Sequence, residues 1–238
     1  MERYSIADLI TEIDCRYPLL KERIAAYKVA CDKTEQADIV IDISEEMYQN
    51  MSVNNPGFNR GECEYMLAGD MFYRRLLKFD GMLLHASAVE KDGEAYLFSA
   101  KSGTGKSTHT HLWLDYFKDA RIINDDKPAI RLIDGKYYAY GTPFSGKTDE
   151  SVNVGVQIKA IVFIERSETN KIRKINPDEA IPLMMNQTIR PSGSPENMDI
   201  LLDFMDGLLT TVPIYKLSCD ISSDAVKTAY EGINGEKI

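Results

Sequence analysis

Apolar and polar positions follow one pattern in the first third of the chain and another after it. Over residues 37–43, Ala37-Asp38-Ile39-Val40-Ile41-Asp42-Ile43, an apolar side chain falls at every odd position, the two-residue period that predicts a strand. Ser44-Glu45-Glu46 follows with a capping hydroxyl and two first-turn acids, which predicts a helix start. Asn54-Asn55-Pro56-Gly57 is turn chemistry. Residues 62–79 carry Tyr65, Met66, Met71, Phe72, Leu76 and Leu77 at helical spacing. None of these pieces holds recognisable chemistry. Residues 1–80 are therefore expected to form a small N-terminal α+β subdomain that packs on the remainder and shapes the acceptor side.

From Met82 onward, short apolar runs alternate with helical spacing. Residues 82–89 predict a strand that turns at Lys91-Asp92-Gly93 into a second strand over 94–98. Residues 107–117 predict a helix with Leu112, Trp113 and Tyr116 facing a sheet, and residues 121–123 a short strand running into Asn124-Asp125-Asp126. Residues 128–132 and 136–140 flank Asp134-Gly135, a strong hairpin signal. A polar, glycine-rich loop spans 141–147, and residues 158–164 are the most strand-like run, expected at the centre of the sheet. Residues 178–189 and 196–209 read as helices separated by a loop over 190–195, with a last strand over 214–217 and a last helix from Ser223. Residues 81–238 thus read as one α/β domain with α+β character, a mixed sheet flanked by helices.

The chemistry sits between the strand over 94–98 and the helix over 107–117. Ala100-Lys101-Ser102-Gly103-Thr104-Gly105-Lys106-Ser107 fits the phosphate-loop spelling, a small residue, four variable positions, then Gly-Lys-Ser. Glycines let successive backbone N–H groups turn inward as an anion nest, and the helix that follows aims its positive end at the same phosphates. Ser102, Gly103, Thr104, Gly105, Lys106, Ser107 and Thr108 are the candidate nucleotide-binding residues. Lys106 would reach the β- and γ-phosphates and Ser107 would ligate Mg²⁺. Strand, loop and helix come in the order that this site requires.

Phosphate binding alone does not explain transfer, and Asp125 and Asp126 supply what is missing. One carboxylate can hold Mg²⁺ and the other can take the proton of an attacking hydroxyl, with the allotment open from sequence. Lys147 and Glu150, in or beside the second glycine-rich loop, could reach the phosphates or the metal. Arg190, between two helices and before Pro191, could bring a mobile cation to transition-state charge. Each of these three also has a plain reading as an exposed loop charge. His109 and His111 lie two apart and share no helix face, so neither is expected to hold a metal. His85 alone would read as a satisfied core histidine.

The ordered set Leu84-His85-Ala86, residues 99–107 and Asn124-Asp125-Asp126 resembles the catalytic domain of bacterial HPr kinase/phosphorylase, over residues 82–235. The resemblance implies a phosphoenolpyruvate carboxykinase-like P-loop core and a kinase that phosphorylates a serine on a small carrier protein. It implies a catalytic set of His85, Lys106, Asp125, Asp126 and, on the mobile loop, Arg190. It also implies Ser107, Asp125 and Glu150 on the metal. Segment 141–147 and the N-terminal region look like HPr-kinase-related proteins of peptide-modification gene clusters. Some relatives there, the lasso-peptide kinases, phosphorylate a peptide hydroxyl. The loop with Asp125-Asp126 is also similar to ATP-type phosphoenolpyruvate carboxykinase, whose chains are much longer.

Composition narrows the partners. Among 238 residues the net charge is −9, which disfavours a nucleic-acid backbone. Cys15, Cys31, Cys63 and Cys219 are scattered without metal or disulfide spacing, as in reduced cytosolic proteins. No apolar signal core opens the chain and no stretch reaches membrane-spanning length, so a cytoplasmic protein without membrane contact is expected. The expected function is an ATP- and Mg²⁺-dependent phosphotransferase acting on a hydroxyl of a peptide or small protein. A small-molecule kinase (free serine, for example), a carboxykinase-like enzyme and a nucleotide-gated binding module are the alternatives, and a homo-oligomer stays open.

Overall fold

The structure, a computed structural model, describes residues 1–30, 36–101, 103–191 and 193–237. Cys31, Ser102 and Ser192 lie outside the described residues.

Two strands that the alternation did not flag open the chain. β1 (Glu2–Ile6) and β2 (Leu9–Ile13) pair antiparallel across Ala7-Asp8, and β2 pairs parallel with β3 (Ile39–Ile41), a shorter strand than the one predicted over 37–43. Helix α1 (Pro18–Ile24) lies between β2 and β3 in sequence. Helix α2 (Glu45–Asn54) starts as expected, with Ser44 Oγ accepting from Met47 N. Helix α3 (Arg60–Leu76) begins two residues before the predicted start at 62, because Asn59 and Glu62 form a capping box.

The second part of the chain runs β4 (Gly81–Leu83), β5 (Ala86–Lys91), β6 (Glu94–Ser99), α4 (Lys106–Tyr116), β7 (Arg121–Asn124), β8 (Ala129–Ile133), β9 (Lys136–Tyr140), β10 (Gly155–Arg166), β11 (Lys171–Lys174), α5 (Pro177–Met185), α6 (Pro195–Thr211), β12 (Ile214–Cys219) and α7 (Ser223–Asn234). Two-residue turns with both φ angles positive close the β5–β6 hairpin at Asp92-Gly93 and the β8–β9 hairpin at Asp134-Gly135. The strand predicted over 82–89 divides at Leu84-His85. β4 pairs with β8, whereas β5 pairs with β6 and β7, and the His85 N–H between them donates to the Gln187 carbonyl at 2.7 Å. The same contact explains why the helix predicted over 178–189 stops at Met185, since the chain beyond it is drawn against His85.

Nine strands form one mixed sheet, in the order β4-β8-β9-β10-β6-β5-β7, with β12 joined to β10 and β11 to β12. The fold is mixed α/β, as expected, and β10 is central. Its first residues pair antiparallel with β9, and its later ones run parallel between β6 and β12. Side chains alternate across the sheet. Leu97 of β6 packs toward α5 and α6 with Met184, Leu201 and Leu208, while Tyr96 and Phe98 pack toward α4 and α7 with Trp113 and Val226. A third core joins the first eighty residues to the sheet through Ile6, Leu20, Tyr48, Phe72, Tyr140 and Phe144.

Helix α4 buries Trp113 as expected, but the rest of its buried face differs from the one predicted. Its buried stripe is Lys106, His109, Thr110 and Trp113, whereas Leu112 is only partly buried and Tyr116 is 38% exposed. Three of those four positions are polar, so apolar spacing pointed elsewhere. Among the described residues no helix is long and apolar enough to cross a membrane.

Candidate functional site

Sheet topology alone brings the chemistry to one edge. β6, β10 and β12 run parallel and end together, with Ser99 opposite Phe163 and Arg166 opposite Cys219. Ligands in such sheets sit off the carboxyl ends of the strands. β5 runs the other way, so Ala86 pairs with Ser99 and His85 falls beside the loop. β7 pairs antiparallel with β5 in turn, which carries Asp125-Asp126 past its end to the same place, where the Ala86 N–H donates to the Asp126 carbonyl at 3.2 Å.

The loop keeps its first helical turn open. Gly105 caps α4 at φ 117°, a conformation that a Cβ would strain, and among the described residues no side chain caps the helix. The first-turn amides are left for an anion. Arg166, at the end of β10, holds the loop from outside, with Nε donating to the Thr104 carbonyl at 2.9 Å and Nη2 to the Gly103 carbonyl at 2.6 Å. Lys106 is buried, and desolvation, partly offset by Asp126 and Asp125, lowers its pKa.

His85 joins the loop to the carboxylates. Its Nδ1 lies 3.0 Å from Gln187 Oε1, and its Nε2 lies 3.2 Å from Lys106 Nζ and 3.0 Å from Asp126 Oδ1. Nε2 cannot serve both partners at once. Protonated, it donates to Asp126; deprotonated, it accepts from Lys106. Asp126 has its other oxygen on the Lys127 ammonium. Burial alone would raise its pKa, but His85 and Lys127 overcome that and hold it at about 2.

Asp125 belongs to a separate network. Ser87 Oγ donates to its Oδ1 at 2.6 Å and Thr148 Oγ1 to its Oδ2 at 2.8 Å. Ser87 in turn lies 2.9 Å from Thr110 Oγ1, which reaches the Ser107 carbonyl at 3.0 Å. A second path runs from that carbonyl to His111 Nδ1 at 2.6 Å, and from His111 Nε2 to Glu150 Oε1 at 3.2 Å. Both ring nitrogens of His111 therefore face acceptors, which favours the imidazolium; the Ser107 carbonyl contributes most to its raised pKa. Nε2 is equally far from Glu150 Oε2 but out of hydrogen-bond geometry with it, so that oxygen is buried without a partner among the described residues.

These residues fit a magnesium ion. Mg²⁺ takes one or two carboxylates with waters and phosphate oxygens, not a closed protein cage. Glu150 offers an orphaned buried oxygen, its carbonyl accepts from the Asp125 N–H at 3.0 Å, and Ser107 is linked to both. Among the described residues no cluster of three or more acidic, histidine or cysteine side chains forms a metal cage.

Three expected residues, Arg190, Lys147 and Thr108, stand apart from this cluster. Arg190 is exposed, three residues beyond the Gln187 strap on His85, and among the described residues it makes no ion pair. Lys147 and Thr108 are exposed, and Ser102 lies outside the described residues. His109 is buried against Phe98 and Trp113. Arg166, Gln187, Lys127, Ser87 and Thr148 were not found from sequence. Thr148 lies one residue beyond the glycine-rich loop marked over 141–147.

A family model matches residues 65–228, from α3 to α7, and it is that of the SynChlorMet cassette protein ScmC. The chain belongs to the ScmC family. That name specifies no reaction. The chain is also 28% identical over 194 residues to phosphoenolpyruvate carboxykinase (ATP) of Neurospora crassa. The match takes in 74% of this chain but 30% of that enzyme's length. A solved structure of the HPr(Ser) kinase/phosphatase from Coxiella burnetii overlaps 60% of this chain and 89% of its own, at 11% identity and a TM-score of 0.36. Overlap that loose transfers no residue role.

Proposed function

We propose that the protein transfers the γ-phosphoryl group of ATP to the hydroxyl of a serine or threonine in a peptide or small protein. The observation that carries this reading is the pair of contacts at His85 Nε2, 3.2 Å to the loop lysine and 3.0 Å to Asp126. A loop lysine by itself describes binding. A loop lysine and a carboxylate facing each other across one imidazole describe a passage for a phosphoryl group. The sequence likeness to a carboxykinase named for ATP supports the donor.

Lys106 and the first-turn amides of α4 would hold the β- and γ-phosphates. The nucleoside would lie along the cleft beside the loop, walled by Leu112, Ile164, Arg166 and Ile221. Asp126 would take the hydroxyl proton while the acceptor oxygen forms its bond to phosphorus, and the bond to ADP breaks with its electrons on the β-phosphate. His85 would orient Asp126 and, by donating from Nε2, hold its charge. Mg²⁺, when bound at Ser107, Asp125 and Glu150, supplies charge neutralisation on the phosphate oxygens. The peptide class of acceptor rests on the resemblance of segment 141–147 and the N-terminal region to kinases of peptide-modification clusters.

Incubation with γ-labelled ATP and Mg²⁺, against a panel of Ser/Thr peptides and a panel of small alcohols including free serine, tests this. Label is expected in peptides. Label confined to metabolites makes the protein a small-molecule kinase. Tight ATP binding with neither ADP nor label contradicts transfer and leaves a nucleotide-gated binding module.

A further inference from the structure

Lys127 follows the aspartate pair and belongs to none of the motifs that mark the site. Its main chain is pinned on both sides. Its N–H donates to Asn124 Oδ1 at 2.7 Å, and its carbonyl accepts from the Tyr73 hydroxyl and from Thr142 Oγ1 at 3.0 Å. Asn124, Tyr73 and Thr142 are buried, so β7, α3 and the loop after β9 together fix where this residue stands. The side chain is held differently. It is 31% exposed, and its ammonium meets Asp126 Oδ2, the oxygen that His85 leaves free.

With a proton on His85 Nε2 both oxygens of Asp126 are engaged, and a proton acceptor needs one of them uncovered. His85 is tethered on its far side, through Nδ1 and its backbone N–H to Gln187. Among the described residues the Lys127 ammonium has no second hydrogen-bond partner, and a lysine is a compact charge on a flexible four-carbon stem. A γ-phosphate placed at Lys106 brings more negative charge than one carboxylate and three acceptor oxygens. The swing that frees Asp126 is that of Lys127.

We propose that Lys127 is a catalytic residue that follows the γ-phosphoryl group: its ammonium leaves Asp126 Oδ2 for a γ-phosphate oxygen when the triphosphate binds, and so uncovers the oxygen that takes the acceptor's proton. The inference rests on the phosphotransferase reading above. Lys127 keeps its charge and proton throughout; the hydroxyl proton passes to Asp126, and the electrons of the broken phosphorus–oxygen bond stay on ADP. The residue thus supplies from within the chain the cation that other phosphoryl-transfer enzymes bring as an arginine finger.

Calorimetry with Mg²⁺, ADP and a non-hydrolysable imido analogue of ATP tests it in wild type, Lys127→Gln and Lys127→Arg. In Lys127→Gln, ADP affinity is expected to stay within about twofold while the analogue weakens on the order of tenfold and ADP formation falls on the order of a hundredfold. Lys127→Arg is expected to keep most of the analogue's affinity. Equal weakening of both ligands in Lys127→Gln shows a structural role and overturns the proposal, as does an unchanged analogue affinity. A wild-type protein that binds neither nucleotide overturns the phosphotransferase reading, and this inference with it.

Discussion

Two histidines of this protein sit in opposite electrostatic settings. His85 Nε2 faces a carboxylate and an ammonium at 3.0 and 3.2 Å, so its proton decides which contact is made. Among the described residues His109 faces no charge. Trp113 Nε1 donates to its Nε2 at 3.1 Å, its Nδ1 has no partner among the described residues, and burial pushes its pKa down from 6.5 to about 4. Unfolded, the same ring protonates near its ordinary value, so its contribution to stability is intact above that value and is lost as pH falls toward the folded one. Stability should drop by about 2 kcal/mol on this account between pH 7.5 and 5. Urea unfolding at the two pH values reads the drop, and His109→Gln should show a correspondingly smaller one. Equal losses in both proteins would mean that His109 is not held neutral.

The loop from Gly141 to Glu150 is the element on which the two carboxylate networks meet, and residues from the first eighty hold it. Arg23 Nη1 donates to the Gly146 carbonyl at 2.6 Å and to the Tyr65 hydroxyl at 2.9 Å, and its guanidinium lies 4.7 Å from the centre of the Tyr65 ring. Gly146, at φ 76°, packs so closely on Asp126 that a Cβ there would come within 2.7 Å of the Asp126 Cβ. Two residues on, Thr148 holds Asp125. Arg23→Ala is expected to lower ADP formation on the order of tenfold, with a stability loss of only about 1 kcal/mol. Lysine, which lacks the fork, should restore little. A steady-state assay beside a thermal melt checks both, and full activity in Arg23→Ala would show that the loop holds itself. The glycine-rich loop itself was marked over 141–147, but its hold by Arg23 was not legible in sequence, because Arg23 belongs to no motif and stands 123 positions from Gly146.

At the scale of the whole molecule, one mixed sheet sorts the chemistry. Antiparallel β5, between β6 and β7, puts His85, the loop and the aspartate pair on a single edge. The loop, the Asp-Gly hairpins and Asp125-Asp126 could be read in advance, because Gly-Lys-Ser, Asp-Gly and Asp-Asp are local spellings whose chemistry travels with them; His85 entered only through the family resemblance, and the strand order that brings it beside the loop could not be read. The face of α4 could not, because a stripe of Lys106, His109, Thr110 and Trp113 has no apolar period. Nor could Arg166, whose hold on the Gly103 and Thr104 carbonyls depends on β10 ending beside the loop. On the proposed function this edge moves a phosphoryl group, with Asp126 as the proton acceptor. ATP affinity and ADP formation, with water as acceptor, measured side by side in wild type and Asp126→Asn, test it most directly. Asp126→Asn is expected to keep affinity within about threefold of wild type and to lower turnover by on the order of a thousandfold. Wild-type turnover in Asp126→Asn would contradict it.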